Sequence, residues 1–298
     1  MDINYELYKV FYYVAKSLSF SDAATELFIS QSAVSQSVKT LEKRLGQTLF
    51  TRSTKKVALT KEGEMLFKHI EPAINLIVKG ESQLMSSREK GEEQLRIAAS
   101  DTICRYFLVP YFSKFHQKFP NVHIKVINQT SLGCAELLEQ NKADLIVANS
   151  PNPALNNSME IEEIRTFKDV FIADKTAYPF ENKVFTLREL SKMPILMLDK
   201  HSTTSVFLHE QFIKQSIDLA PSVELSSNDL LVDLASIGLG IAFVPDFCFE
   251  KSGRENLYVL KTKEKIPARK LVAAYDENIP LSETAEFFLN LLMEKDNE

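Results

Sequence analysis

Residues 20–46, FSDAATELFISQSAVSQSVKTLEKRLG, describe two helices separated by a tight turn. Ser21, an N-cap type of residue, precedes the helix-forming run Asp22-Ala23-Ala24-Thr25-Glu26-Leu27, which puts Ala23, Ala24 and Leu27 on one face. Side chains as small as alanine let a second helix approach closely. The break at Ile29-Ser30 leaves Ser30 to cap that second helix, where Val34, Val38, Leu41 and Leu45 recur at the spacing of a buried stripe. Gly46 supplies the left-handed residue that ends it. The opposite face carries Gln31, Ser32, Ser35, Gln36 and Lys39. Hydroxyl and carboxamide groups can pair with base edges, and a lysine can reach phosphate.

Any amphipathic helix pair has a polar face, so the flanking residues decide what this one is for. Residues 47–60, QTLFTRSTKKVALT, read as two short strands around 48–52 and 57–60, joined by a basic turn. Such a wing sets Arg52, Lys55 and Lys56 beside the second helix, where they can meet phosphates or a narrow minor groove. Upstream, Leu7, Val10, Phe11 and Val14 form the stripe of one more helix. The run from Phe11 to Gly63, above all SFSDAATELFISQSAVSQSVKTLEKRLGQTLFTR, resembles the DNA-binding domain of LysR-type transcriptional regulators. The family opens its recognition helix with Ser-Gln-Pro-Ala-Val-Ser; here the run is Ser30-Gln31-Ser32-Ala33-Val34-Ser35. Serine replaces proline at Ser32, which loosens the first turn slightly and adds a polar group.

Net charge misleads when taken over the whole chain. Residues 1–60 carry 8 Lys and Arg against 5 Asp and Glu, whereas residues 91–298 carry 22 against 30. The acidic bulk repels DNA, so binding must be oriented by the local basic wing and by helix N-termini. A modest local excess also means that one copy of the domain binds poorly, and joined copies gain through effective concentration. Residues 61–90 supply a joining element: Leu66, Ile70, Ala73, Ile77 and Leu84 follow a heptad-like stripe between charged flanks. A helix pairing with a second chain through Leu66, Ile70, Ala73 and Ile77 is expected, bent at Pro72; a core helix of the same domain is the alternative. SSREKGEEQ, residues 86–94, reads as the hinge that follows.

From Gln94 the pattern changes to alternating strands and helices: LRIAAS, LVPYFSKFHQKF, VHIKVINQ, CAELLEQNK and ADLIVANS, then a second set from FKDVFIAD to IAFVPD. Alternation of this kind predicts a parallel sheet covered on both faces, and the last pieces, ARKLVAAYD and ETAEFFLNLLM, fit a return to the first lobe. The fold class expected is α/β with an N-terminal winged helix-turn-helix. Its domains are a DNA-binding domain at 1–60, a linker helix at 61–90 and a two-lobed domain at 91–298. Lobe I spans about 91–162 and 267–298, and lobe II about 163–266. The family resemblance implies an effector domain of two Rossmann-like lobes, similar to type II periplasmic binding proteins.

Ligands in such sheets lie outside the C-terminal ends of strands. Ser100 and Thr102 follow the first strand, Thr130 and Ser131 the second, Asn149 the third; Ser202 and Thr203, with Thr204, stand between PILMLD and the next helix. Their hydroxyls and nearby amides can receive an anion or carboxylate, although plain helix capping explains the same placement. A small anionic or zwitterionic effector is expected there. The family resemblance implies duplex DNA and this effector as partners, a homodimer or homotetramer, and RNA polymerase as a further partner.

Other chemistries find less support. Cys104, Cys134 and Cys248 lack metal-ligand spacing, and the five histidines are scattered, so neither metal nor cofactor is expected. Cys104 and Cys134 lie near the cleft loops, which leaves thiol sensing open beside simple packing. A cytoplasmic α/β enzyme with a fused DNA-binding module is the competing reading; Asp101, His201 and the serines could form a triad, but no nucleophile-elbow motif appears. A transport binding protein would need export. The N-terminus opens with Asp2, Asn4 and Glu6 instead of a basic-then-apolar leader, and no apolar run spans a bilayer, so a cytoplasmic protein without membrane contact is expected.

Overall fold

The computed structural model describes residues 3–53, 56–86 and 94–294. The chain divides into two units, residues 1–89 with 140–142 and residues 90–139 with 143–298.

The first unit is built from α1 (Tyr5–Ser17), α2 (Phe20–Glu26), α3 (Gln31–Leu45), an antiparallel pair β1 (Phe50–Ser53) and β2 (Lys56–Leu59), and α4 (Lys61–Ser86). Val10, Phe11 and Val14 of α1 meet Ala23 and Ala24 of α2 and Val34, Val38 and Leu41 of α3 in one core. Phe50 at the start of the wing closes that core, its ring centroid 5.5 Å from Phe11 and 5.8 Å from Phe20. Ser30 caps α3 by accepting the Ala33 N–H at 3.2 Å, and Gly46 ends it at φ +67°. The first helix of the pair starts earlier than expected. Ser19, not Ser21, is its cap, accepting the Asp22 N–H at 3.2 Å, while Ser21 sits inside the first turn.

α4 corrects the expected pairing seam. Leu66 and Ile70 pack with Phe67 against the core of their own domain, because α4 must cover the side of the core that the short wing leaves open. Ala73 and Ile77 are exposed, as are Met65 and Leu76. A periodic stripe specifies that a helix buries one face without naming what covers it. The side chain of Leu84 and residues 87–93 of the expected 86–94 hinge lie outside the described residues, while Ser86 ends α4 and Gln94 begins the next strand.

The second unit alternates through β3 (Gln94–Ala99), a short helix α5 (Asp101–Ile103) continued by a π-helical stretch (Cys104–Leu108) into α6 (Val109–Lys118), β4 (His123–Asn128), α7 (Ser131–Glu139), β5 (Leu145–Ser150) and β6 (Met159–Phe167). The chain then crosses to a second lobe: β7 (Asp169–Asp174), β8 (Val184–Phe185), α8 (Leu187–Leu190), β9 (Ile195–Leu198), α9 (Thr203–Ile213), β10 (Val223–Leu225), α10 (Asn228–Ser236), β11 (Ile241–Pro245), α11 (Asp246–Glu250), β12 (Leu257–Val259) and β13 (Lys261–Thr262). It returns through β14 (Arg269–Asp276) and α12 (Glu283–Met293).

The sheets run β4-β3-β5-β14-β6 and β10-β9-β11-β7-β12. Both are mixed, not wholly parallel: β14 is antiparallel to β5 and β6, and β7 to β11 and β12. Parallel neighbours need a helical crossover, and the strands that pass between lobes have none. Since β6 runs to Phe167 beside β14, residues 163–167 belong to the first sheet and not to the second lobe where the sequence reading put them. Burial on both faces holds as expected. Leu95, Ile97 and Ala99 of β3 enter one core with Tyr111, Phe115 and Phe288, and Ala98 enters the other with Cys134 and Leu138.

Close approach of α4 to the wing is testable. A Cβ at Gly63 would lie 2.1 Å from the Leu49 carbonyl oxygen, a backbone atom that cannot swing away. Gly63→Ala is expected to lower the stability of the first unit by about 1–3 kcal/mol, read as a shifted denaturant midpoint. An unchanged midpoint would show that the helix and wing can separate freely.

Candidate functional site

Two surfaces assemble the residues singled out from the sequence. In the first unit, Gln31, Ser32, Gln36 and Lys39 are exposed on the side of α3 opposite Val34, Val38 and Leu41, with Ser35 half-buried among them. The Ser32 hydroxyl lies 2.9 Å from that of Ser30, so the residue standing where the family has proline reinforces the cap. Arg52 and Lys56 fall in β1 and β2, while Lys55 lies outside the described residues. Two features escaped the sequence reading. Glu42 Oε1 accepts the backbone N–H groups of Leu49 at 2.8 Å and Phe50 at 3.3 Å, binding the end of α3 to the start of the wing. Phe28, which a hydrophobicity pattern places in the core, holds φ +55° in the turn and is 95% exposed.

In the second unit, the C-terminal ends of β3, β4, β5, β9 and β10 border a cavity of about 250 Å³ between the lobes. All seven expected residues line it: Ser100, Thr102, Thr130, Ser131, Asn149, Ser202 and Thr203. Capping and lining turn out to coexist. Ser100, Thr130 and Ser202 accept backbone N–H groups of Ile103, Gly133 and Thr204 at 3.3, 3.2 and 3.1 Å. Each hydroxyl that accepts a bond still has its own hydrogen to donate. The Ser131 hydroxyl accepts the Asn149 N–H at 3.1 Å, which ties two of the lobe I positions together.

Sequence reading missed Asp199, Ser226, Ser227 and Asn228 on the cavity wall. The last three follow β10 and open α10, so the rule that found Ser100 would have found them too. Asn228 reaches across the cleft and donates from Nδ2 to the Thr102 hydroxyl at 3.0 Å. Next to it the Tyr106 hydroxyl donates to Asp229, Arg105 lies 3.7 Å from the same carboxylate, and Lys251 donates to the Tyr106 carbonyl at 2.7 Å. Burial first, then the Asp229 hydrogen bond, pushes the Tyr106 hydroxyl upward, so it stays protonated and donates.

Arg269 was not anticipated. Its side chain and that of Asp169 are wholly buried and meet at 3.1 Å, where β14 and β7 begin beside the two crossings. Arg269 also donates to the hydroxyls of Thr204 at 2.9 Å and Thr203 at 3.0 Å, and its guanidinium lies over the rings of Phe167 and Phe207, 5.5 and 5.0 Å from their centroids. Burial pushes the Asp169 carboxyl upward against the pull of the guanidinium. Through Thr203 and Thr204, this ion pair forms the back of the cavity wall.

The thiols are poorly suited to sensing. Burial raises Cys104 to about 11, with Asp101 adding, and Cys134 to about 12; Cys248 is also raised, chiefly by burial. Thiolate is the reactive form, so these groups are protonated near neutral pH. Among the described residues, no group of three or more His, Cys, Asp or Glu is placed to hold a metal ion, and no helix is long and apolar enough to cross a membrane.

Two outcomes follow. Alkylation of the native protein at neutral pH should run roughly 100-fold slower than that of a free cysteine, and all three thiols should react at once in denaturant. Arg269→Met should cost about 3–5 kcal/mol of stability by leaving Asp169 unpaired, and Arg269→Met combined with Asp169→Leu should cost less than the single change. Equal losses in the single and double variants would mean that the pair is not coupled.

Residues 5–64 match the family model described as bacterial regulatory helix-turn-helix protein, lysR family, and residues 88–297 match the LysR substrate binding domain. A probable RuBisCO transcriptional regulator of Thalassiosira pseudonana is 27% identical over 292 residues, covering 95% of each chain. Full-length CbnR complexed with its target DNA has the same fold, with a TM-score of 0.65 at 15% identity over 97% of this chain and 99% of that one. The Synechocystis PCC6803 CcmR regulatory domain in complex with 2-PG matches with a TM-score of 0.62 at 22% identity, over 68% of this chain and 96% of that one. These names are those of regulators, not catalysts. With both units covered by models of one family, the chain belongs to the LysR family of transcriptional regulators.

Proposed function

We propose that this regulator reads duplex DNA through α3, works as a dimer or tetramer, and is switched by a small metabolite held between the lobes of its second unit. The observation that carries this reading is the joint presence of an exposed hydrogen-bonding face on α3 and a cavity lined by hydroxyl and carboxamide groups at strand ends. Gln31, Ser32, Ser35 and Gln36 meet base edges in the major groove, and Lys39, Arg52, Lys55 and Lys56 serve phosphates or the minor groove. Pairing uses the outward side of α4, where Met65 and Leu76 lie about three turns apart on one face with Ala73 and Ile77 beside them. That assignment replaces Leu66 and Ile70, which are already engaged in the core.

A ligand between the lobes acts by preferring one lobe angle over another. Its binding energy changes how the paired heads are presented to two half-sites. RNA polymerase is the partner this reading implies once the protein is seated at a promoter.

Selection of bound duplexes from a random pool tests the assignment. The full-length protein should retain one preferred sequence. Gln36→Ala should relax choice at a single position at a cost of about 1–3 kcal/mol, and Arg52→Ala should weaken all sequences alike. Light scattering should give a dimer or larger, reduced to a monomer by Leu76→Lys. Retention of no preferred sequence, or a monomeric mass for the unaltered protein, would sink the proposal.

A further inference from the structure

We infer that the cavity takes an amino acid zwitterion, its ammonium group between Asp101 and Asp199 and its carboxylate at the first turns of α7, α9 and α10. This rests on the reading of that cavity as the effector site. Among the described residues, the cavity wall contains no Lys, Arg or His, whereas Asp101 and Asp199 both stand on it. A phosphorylated or dicarboxylic dianion would meet two like charges and no counter-charge. The nearby cation, Arg269, is wholly buried, its terminal nitrogens held by Asp169 and the hydroxyls of Thr203 and Thr204 and its Nε left without a partner, so it stands behind the wall and not on it.

Hydrogen bonding points the same way. Asn228 is only 6% exposed, and its Nδ2 is used on Thr102, but its Oδ1 has no partner; the Oδ1 of Asn149 is equally unmatched. Both residues line the cavity, and both orphaned atoms are acceptors. Those two oxygens are closed off from the cavity space, but the two carboxylates on the wall call for a donor-rich cation, and an ammonium group offers three donors. The opposite charge also has a place. Ser131, Thr203 and Asn228 are the first residues of helices of 9, 11 and 9 residues, and all three line the cavity. The caps Thr130, Ser202 and Ser227 take the N–H groups of Gly133, Thr204, Ser205 and Leu230, and the positive end of each helix dipole still suits a carboxylate. Asp199 already accepts the His201 N–H at 2.9 Å and Asp101 is exposed, so a neutral polyol would gain no charge attraction from either, whereas an ammonium group would.

The test uses the full-length protein, with thermal shift followed by calorimetric titration of the standard α-amino acids at millimolar concentration. At least one should bind, and the α-keto and α-hydroxy acids with its carbon skeleton should bind at least ~10-fold more weakly. Asp199→Asn and Asp101→Asn, which keep side-chain size, should each weaken the amino acid ~10-fold or more, while Gln129→Trp, which fills the cavity from its rim, should abolish binding. Binding by none of the amino acids, or equal binding by the keto acid, overturns the inference. A keto acid or phosphorylated acid whose binding is lost in Gln129→Trp would overturn the zwitterion and keep the cleft. An amino acid that binds all three variants as it binds the unaltered protein would overturn the cleft reading itself.

Discussion

Arg269 and Asp169 face each other at 3.1 Å with no water-exposed side-chain surface, at the point where the chain passes between its lobes. Removing two charges from water is costly, and the cost is offset only while each has the other together with further hydrogen bonds. Arg269 adds bonds to Thr203 and Thr204 and contacts with two aromatic rings, while its Nε and the Oδ1 of Asp169 stay buried without a partner. Three separate segments are thereby fastened to one guanidinium: the end of β6 through Phe167, the start of β7 through Asp169, and the first turn of α9. The lobes cannot change their angle without disturbing a group that has no alternative partner. A movement that does occur is therefore apt to switch between defined arrangements instead of drifting.

The far side of the cleft is held differently. Thr102 with Asn228, and Tyr106 and Arg105 with Asp229, are polar contacts made by the segment that leaves β3. That segment changes from α to π winding at Cys104, and such irregular turns recur at functional sites. These contacts are part-buried, so they can be exchanged for water or ligand at moderate cost. One side of the cleft is thus fixed by a buried charge pair and the other by replaceable hydrogen bonds, which is the asymmetry a closing cleft requires.

How much of this was legible in the sequence depends on the range of each interaction. Ser30, Gly46, Val34 and Val38 could be placed because capping and periodicity are local. The cleft hydroxyls could be placed because strand ends bind ligands wherever the sheet is of this type. Ser21 stood for the cap in the sequence, but Ser19 is a cap-type residue too, and only geometry shows that it is the Ser19 hydroxyl that reaches three residues on. Leu66 and Ile70 were assigned to a second chain because a stripe has the same spacing whichever surface covers it. Arg269 was invisible. Its partners stand 100, 65 and 66 residues away, and an arginine at the start of a strand looks like any surface cation until the fold brings those partners to it.

The two bonds from Glu42 to the amides of Leu49 and Phe50 make α3 and the wing a single stiff body. On the proposed reading, a stiff reader cannot adjust the distance between a groove that receives the helix and a backbone that receives the wing. Compliance must come from the duplex, whose base steps differ in how easily they roll and unstack. On that reading, preferred sites are selected in part at base pairs that no side chain touches, by how cheaply those steps deform.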